Sequence, residues 1–122
     1  MADEPLLRIE RKDGIMLVTF AQPVALDSRR IEAMEQEFSR LLASADSQRI
    51  ILDFASVQLI GSQALGVLLN VRRQLDETGG TLFISGVDPK LYRVFRVTQL
   101  DGLFEFFPDT ESAIDRFGSQ ES

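Results

Sequence analysis

Residues 51–69 read ILDFASVQLIGSQALGVLL, a short apolar run followed by a helical pattern. The run Ile50–Leu52 is continuous and apolar, which predicts a strand buried on both faces over residues 49–54. After a loop we expect a helix over residues 62–78, because its apolar residues recur at intervals of three and four. A buried strand followed by an amphipathic helix is the repeating unit of an α/β protein. The apolar stripe of the helix consists of Ala64, Val67, Leu68, Val71 and Leu75.

The segment before this stretch predicts a hairpin and a first helix. Two strands, Leu6–Arg11 and Ile15–Phe20, flank the turn Lys12–Gly14, whose Asp-Gly pair is a strong hairpin signal. Asp27 or Ser28 can then cap a helix. The apolar stripe of that helix consists of Ile31, Met34, Phe38, Leu41 and Ala45.

The segment after the second helix adds four further elements. Gly79-Gly80 ends the helix, and a buried strand follows at Thr81–Ser85. Pro89 suits the first turn of a short helix over residues 90–97, and Leu103–Phe107 predicts a short strand or extended segment. A last helix, capped at residue 109 or 110 and fraying from residue 118, directs three side chains inward: Ala113, Ile114 and Phe117.

The predicted order of elements, β-β-α-β-α-β-α-(β)-α, indicates an α/β fold. Strands that alternate with helices imply a sheet that is parallel in large part. A length of 122 residues suits one domain. We therefore predict a single domain over residues 1–122, structured from about residue 5 to about residue 117.

The composition excludes several classes of function. The chain has no Cys and no His, so it offers no disulfide, no thiolate nucleophile, no His-based triad and no His or Cys metal ligand. A net charge of −6 argues against binding nucleic acid through its phosphates. No apolar run approaches the ~20 residues of a membrane span, and the acidic N-terminus is unlike a signal peptide. We expect a cytoplasmic protein with no metal, no cofactor, no nucleic acid and no membrane insertion.

Asp27 and Asp53 fall near the ends of predicted strands, which gather at one edge of an α/β sheet. Two carboxylates there can act as acid and base or hold Mg²⁺. The alternative, which we favour, is that Asp27 caps a helix and Asp53 ties down a loop by hydrogen bonds. The glycines of segment 61–66 have P-loop spacing, but the Lys and Ser/Thr that should follow are absent. No residue is therefore predicted to be catalytic.

Ser62 is the most informative residue of the second predicted helix. Its structural role would be that of an N-cap whose hydroxyl accepts a backbone N–H. A serine at a helix start is also exposed, and phosphorylation adds close to two negative charges where the helix dipole favours them. Gly66 lies one turn further along the same face, at a cost of about 1 kcal/mol relative to Ala. Either close approach of a partner or tight packing against a neighbouring loop can account for Gly66.

The stretch 51–69 resembles the signature of STAS domains in bacterial anti-sigma factor antagonists: an apolar strand ending in Asp, a loop, then Asp-Ser-Ser-Gly-Leu-Gly-Val-Leu. The residues at matching positions are Asp53, Ser62, Leu65, Gly66, Val67 and Leu68. Leu26-Asp27 resembles the Leu-Asp before the family's first helix. Gly61, Gln63 and Ala64 stand where the family has Asp, Ser and Gly. Further matches follow at Gly79-Gly80, Val87–Pro89, Val94-Phe95, Leu100–Phe104 and Ala113.

The resemblance implies a small mixed sheet of four to five strands, with about four helices packed mainly on one side. It also implies partner switching by a monomer or weak dimer. The unphosphorylated protein would bind a serine-kinase anti-sigma factor, which then phosphorylates the serine at the start of the second helix, here Ser62. Binding would be lost until a phosphatase resets the cycle. The expected partner-binding residues are Asp27, Asp53, Gly61, Ser62, Gln63, Leu65, Gly66 and Leu69.

Three functions stay open at this point. The first is the switchable anti-sigma factor antagonist. The second is a STAS interaction or adaptor module of a larger signalling or transport complex, in which Ser62 acts only as a cap. The third is a sensor that binds a small ligand or nucleotide in a pocket near Asp27, Asp53 and Ser62. None of the three is an enzyme.

Overall fold

The computed structural model describes residues 5–44 and 49–121. In these residues, strands and helices alternate as in an α/β protein, and Ala45 of the predicted first stripe lies outside the described part. The elements are β1 (Leu7–Lys12), β2 (Ile15–Phe20), β3 (Val24–Leu26), α1 (Ile31–Ala43), β4 (Arg49–Asp53), β5 (Val57–Ile60), α2 (Ser62–Glu77), β6 (Thr81–Ser85), α3 (Pro89–Val97), β7 (Glu105–Phe107) and α4 (Thr110–Glu121).

The main sheet has five strands in the order β1-β2-β4-β6-β7. β1 pairs antiparallel with β2, and every other pair in this sheet is parallel. At the predicted hairpin turn, Asp13 and Gly14 take positive φ angles of 53° and 77°, as the tight two-residue turn between twisted strands requires. The mixed sheet with parallel connections confirms the predicted fold class.

Two short strands form a second sheet that the sequence did not predict. β3 and β5 pair in parallel, with Ala25 opposite Leu59 and Leu26 opposite Ile60. The prediction that residues 55–61 form only a loop is wrong for Val57–Ile60. Each strand has four residues or fewer, so its periodicity is too short to read, and its stability depends on a partner distant in sequence.

Each face of the main sheet carries a hydrophobic core, because alternate residues of a strand point to opposite faces. Ile50 and Leu52 of β4 face a large core that also contains residues of α1, α2 and α3. Ile51 faces a smaller core on the other side, where Phe117 of α4 stacks on Phe83 at a centroid distance of 4.2 Å. Three helices on one face and one on the other agree with the predicted arrangement.

The helix ends follow the predicted signals in most cases. Pro89 lies in the first turn of α3, and the Asp88 carboxylate accepts the N–H of Lys90 at 2.7 Å. The Asp109 carboxylate accepts the N–H of Ser112 at 2.8 Å, as expected for a cap. α4 then continues to Glu121, beyond the predicted end of the structured part at residue 117.

Candidate functional site

Ser62 is the first residue of α2, and its side chain is exposed. The N-cap is Gly61, whose extended backbone (φ −93°, ψ 171°) precedes the helix, and no side chain accepts a hydrogen bond from the first turn. The prediction that Ser62 is the N-cap is therefore wrong by one residue. As a consequence, the Ser62 hydroxyl has no capping role and faces solvent at the helix start.

Gly61 holds the start of α2 against the end of β3. Its N–H donates to the Leu26 carbonyl at 2.9 Å. A Cβ added at Gly61 would lie 3.5 Å from that oxygen and 3.9 Å from the Cα of Asp27, so the two chain segments are in contact. The pairing of β3 with β5 thus places the backbone of Asp27 beside Gly61, the residue before Ser62.

The Asp27 carboxylate is held by Arg29. Oδ1 accepts the backbone N–H of Arg29 at 3.0 Å, and Oδ2 lies 2.9 Å from Nη2 of the same residue. The Arg29 side-chain hydrogen bond is the main reason why the pKa of Asp27 lies below its ordinary value. Asp27 caps the short 3₁₀ turn Ser28–Arg30 that leads into α1, so the predicted capping role holds for this turn and not for α1, whose N-cap is Arg30. The site therefore carries a fixed negative charge whose guanidinium partner is itself exposed.

Asp53 lies at the end of β4 and is held by its own loop. Its Oδ1 accepts the N–H of Ala55 at 2.9 Å, which is the loop-tying role that the sequence favoured. The carboxylate lines a cavity of about 360 Å³ formed with Gly86 and the start of α4. Neither Asp27 nor Ser62 lines that cavity, so this cavity does not bring the three residues together.

The α2 residues of the expected partner surface that follow Ser62 differ in exposure. Leu65 is 4% exposed and belongs to the core, so its side chain is out of a partner's reach. Leu69 is half-buried against that core. Gln63, Gly66 and Leu69 line an open groove of about 790 Å³ between α1 and α2.

Gly66 faces open space in this groove. It is exposed, and a Cβ added to it would have nothing within 4 Å. Packing against a neighbouring loop, one of the two explanations for this glycine, is therefore wrong. Close approach of a partner stays a prediction for this glycine.

Leu59 is a surface residue that the sequence did not single out. It precedes Gly61 by two residues on β5 and is 53% exposed, whereas its neighbour Ile60 is 4% exposed. The only sequence signal is the pair Leu59-Ile60 just before the helix. That pair does not show which of the two points outward until the strand pairing is known.

The described part of the chain has neither a cluster of metal ligands nor a helix that could span a membrane. Within residues 5–44 and 49–121, no three Asp and Glu side chains gather in a way that could hold a metal ion. In the same part of the chain, no helix is both long and apolar enough to span a membrane.

A family comparison matches residues 7–113 to the model of the STAS domain. The chain belongs to the STAS domain family. The match covers both sheets and the first three helices, and it confirms the resemblance inferred from the stretch 51–69. In this STAS domain, Ser62 is the first residue of α2, and its match to the serine of the family signature stays a prediction.

Proteins named as anti-sigma factor antagonists are similar to this STAS domain over nearly their whole length. The anti-sigma F factor antagonist of Paenibacillus polymyxa is 20% identical over 109 residues, which cover 89% of each chain. BtrV of Bordetella bronchiseptica, named as a candidate anti-sigma factor antagonist, is 28% identical over 111 residues, or 91% of this chain and 93% of BtrV.

The solved structures of SpoIIAA share the fold. The unphosphorylated form of this anti-sigma factor antagonist has a TM-score of 0.69 at 20% identity, covering 91% of this chain and 96% of the other. The phosphorylated form, described as a Bacillus cell fate determinant, has a TM-score of 0.68 at 20% identity, covering 91% and 98%. This STAS domain therefore has the architecture of a protein that has been solved in both states.

Proposed function

We propose that this STAS domain is an anti-sigma factor antagonist that binds a serine-kinase anti-sigma factor in the cytoplasm. It would act as a regulatory binding protein rather than as an enzyme. The family membership and the names of the similar proteins support the class of function. The proposed contact, called the Ser62 surface below, consists of Asp27, Gly61, Ser62, Gln63, Gly66 and Leu69.

The observation that carries the proposal is the state of the Ser62 hydroxyl. Because Gly61 serves as the N-cap, the hydroxyl is not needed to complete the first turn of α2. It is exposed, and its two chain neighbours are Gly61, which contacts the backbone of Asp27, and Gln63, which lines the groove that Gly66 leaves open. A kinase bound to this surface would therefore meet a free nucleophile that can be modified without loss of a structural bond.

Phosphorylation of Ser62 would act on the interface rather than on the fold. The kinase transfers the γ-phosphoryl group of ATP to Oγ, the bond from that phosphorus to the ADP oxygen breaks, and the hydroxyl proton is released. The uncapped N–H groups and the dipole of α2 favour negative charge at this position, so the helix stays intact. Inside a desolvated contact, however, the dianion must lose hydration, and mispaired buried charges commonly cost about 2–5 kcal/mol. That cost weakens binding about thirty- to several-thousand-fold.

The local sequence around Ser62 differs from the family signature. Gly61, Gln63 and Ala64 replace an Asp, a Ser and a Gly. Gly61 has no carboxylate next to the hydroxyl, and Asp27 supplies a carboxylate on the chain segment that contacts Gly61. We infer that the cognate kinase recognises the Asp27 carboxylate and the Ser62 hydroxyl. A phosphatase would restore the binding form.

The proposal predicts that the Ser62→Asp variant has the melting temperature of the wild type but no longer binds the anti-sigma factor kinase of the same organism. Ser62→Ala should bind that kinase and stay bound when ATP is added, because it has no hydroxyl to phosphorylate. The measurements are affinity by calorimetry, melting by circular dichroism, and mass spectrometry after incubation with kinase and ATP. If the kinase binds but no phosphate appears on Ser62, and Ser62→Asp binds like the wild type, the fixed adaptor replaces the switch.

A further inference from the structure

The outward face of the β3–β5 sheet lies next to the Ser62 surface. Leu26 and Ile60 are buried, so their strand neighbours Ala25 and Leu59, which stand opposite each other, point away from the core. Leu59 is 53% exposed and Ala25 is half-buried. These two side chains form a small apolar strip on a sheet that has only two strands.

The strip leads to the Ser62 surface because the backbone stays extended beyond each strand, at Asp27 and at Gly61. Asp27 follows Ala25 by two residues, and Gly61 follows Leu59 by two residues. Because side chains two apart on a strand share a face, the outward row leads from the strip to the Asp27–Gly61 contact. Gly61 has no side chain to separate Leu59 from Ser62.

The chemistry of this face fits a protein partner. Apolar side chains lie in the middle, and the Asp27–Arg29 ion pair, with 2.9 Å between Oδ2 and Nη2, begins two residues after Ala25. An apolar centre with a polar rim is the usual composition of a protein–protein contact. A single exposed leucine is ordinary on a protein surface, but this one lies beside a helix start already assigned to partner binding.

We propose that the outward face of the β3–β5 sheet extends the partner surface, with Leu59 inserted into an apolar pocket of the anti-sigma factor kinase. This inference rests on the proposed function and adds to it a strand-borne contact outside α2. The exposed half of Leu59 becomes buried in the complex, whereas the charged pair at Asp27 stays at the rim. Leu59 thus contributes affinity in both the presence and the absence of any modification at Ser62.

The experiment measures binding of the purified kinase, in the absence of ATP, to the wild type and to Leu59→Ala and Leu59→Asp. Removing the buried part of a leucine side chain should weaken binding about tenfold. An unpaired carboxylate in the pocket should weaken it at least a hundredfold. Melting temperatures should stay close to that of the wild type, because Leu59 is half exposed in the free protein.

Leu103→Asp is the matched control. Leu103 is 40% exposed and lies with Arg72 and Asp76 beside the start of β6, at the far end of α2 from Ser62. Its substitution should change the affinity less than twofold. If Leu59→Asp proves poorly folded, the Leu59 methyl signals of the wild type are followed by NMR during the titration instead.

Each outcome decides the inference. Wild-type affinity of Leu59→Asp, or methyl signals of Leu59 that do not move in the saturated complex, overturns it while leaving the proposed function standing. A wild-type protein that does not bind the kinase at all refutes the proposed function and this extension with it. If the wild type is a dimer and Leu59→Asp is a monomer, this face binds a second copy of the chain. That result also overturns the inference.

Discussion

The fixed charge of the Ser62 surface belongs to Asp27. Its pKa lies below the ordinary value of about 3.9, chiefly because Arg29 donates a side-chain hydrogen bond to the ionised form. A carboxyl whose pKa is lowered by folding adds stability above its unfolded pKa and loses that contribution as pH falls through the folded pKa. The charge is therefore fully present at neutral pH, where a partner would meet it.

Replacing Arg29 should raise the pKa of Asp27. We expect Arg29→Gln to move the pKa upward, toward the ordinary value, because the side-chain hydrogen bond and the nearby positive charge are lost. The measurement is an NMR titration of the Asp27 carboxyl carbon. Arg30→Gln is the control and should move the pKa by less, because Arg30 acts on Asp27 only through its more distant charge. Equal shifts in both variants would contradict the assigned hydrogen bond.

At the level of single residues, the N-cap of α2 and the burial of Leu65 could not be predicted from the sequence. The apolar spacing of α2 fixes the phase of the helix, so Ser62 could be placed in its first turn and Gly66 on its exposed side. The spacing does not fix which residue has extended backbone before the helix. That choice depends on the hydrogen bond from Gly61 to Leu26, which only the paired strands create. The burial of Leu65 was missed for a related reason, since a helix on a wide core buries more than its central stripe.

At the level of elements, α2 carries most of the Ser62 surface and the groove beside it. The groove runs between α1 and α2, and half-buried Leu69 lies on its wall. α2 ends where predicted, with Gly79 at a φ of 78° and the N–H of Gly80 donating to the Leu75 carbonyl at 2.7 Å. The elements that long periodic segments encode were therefore predictable, whereas β3 and β5 were not.

Replacement by alanine should change the free energy of unfolding in opposite directions at Gly66 and at Gly86. Gly66→Ala should raise the free energy of unfolding by about 0.5–1 kcal/mol, because the site is helical, exposed and free of neighbours within 4 Å. Gly86→Ala should lower it by more than that. Gly86 has a φ of 70°, and its added Cβ would lie 2.9 Å from an Asp53 oxygen and 3.3 Å from the Ala55 nitrogen. Urea denaturation measures both, and a destabilised Gly66→Ala would mean that the groove is closed in solution.

For the whole molecule, the decisive feature is that the main five-stranded sheet has a core on each face. β4 contributes Ile50 and Leu52 to the larger core and Ile51 to the smaller one. The order of elements and the parallel connections were predictable, because strands that alternate with helices allow few other arrangements. The assignment of α4 to the opposite face was not, since its apolar residues fit either face equally well from sequence alone.

Because both cores share the central strands, they should unfold together. Phe38 of α1 is 2% exposed in the larger core, and Phe117 of α4 is 2% exposed in the smaller one. Phe→Ala at either position should lower the free energy of unfolding by about 3–5 kcal/mol. In each variant we expect one transition, with the same midpoint by far-ultraviolet circular dichroism and by fluorescence of Tyr92, which contacts Phe106. The two variants should also retain equal urea dependence, since each exposes the same surface on unfolding. If Phe117→Ala instead released α4 in a separate early transition while Tyr92 reported an unchanged midpoint, the smaller core would be an independent unit and the two faces would not be coupled through β4.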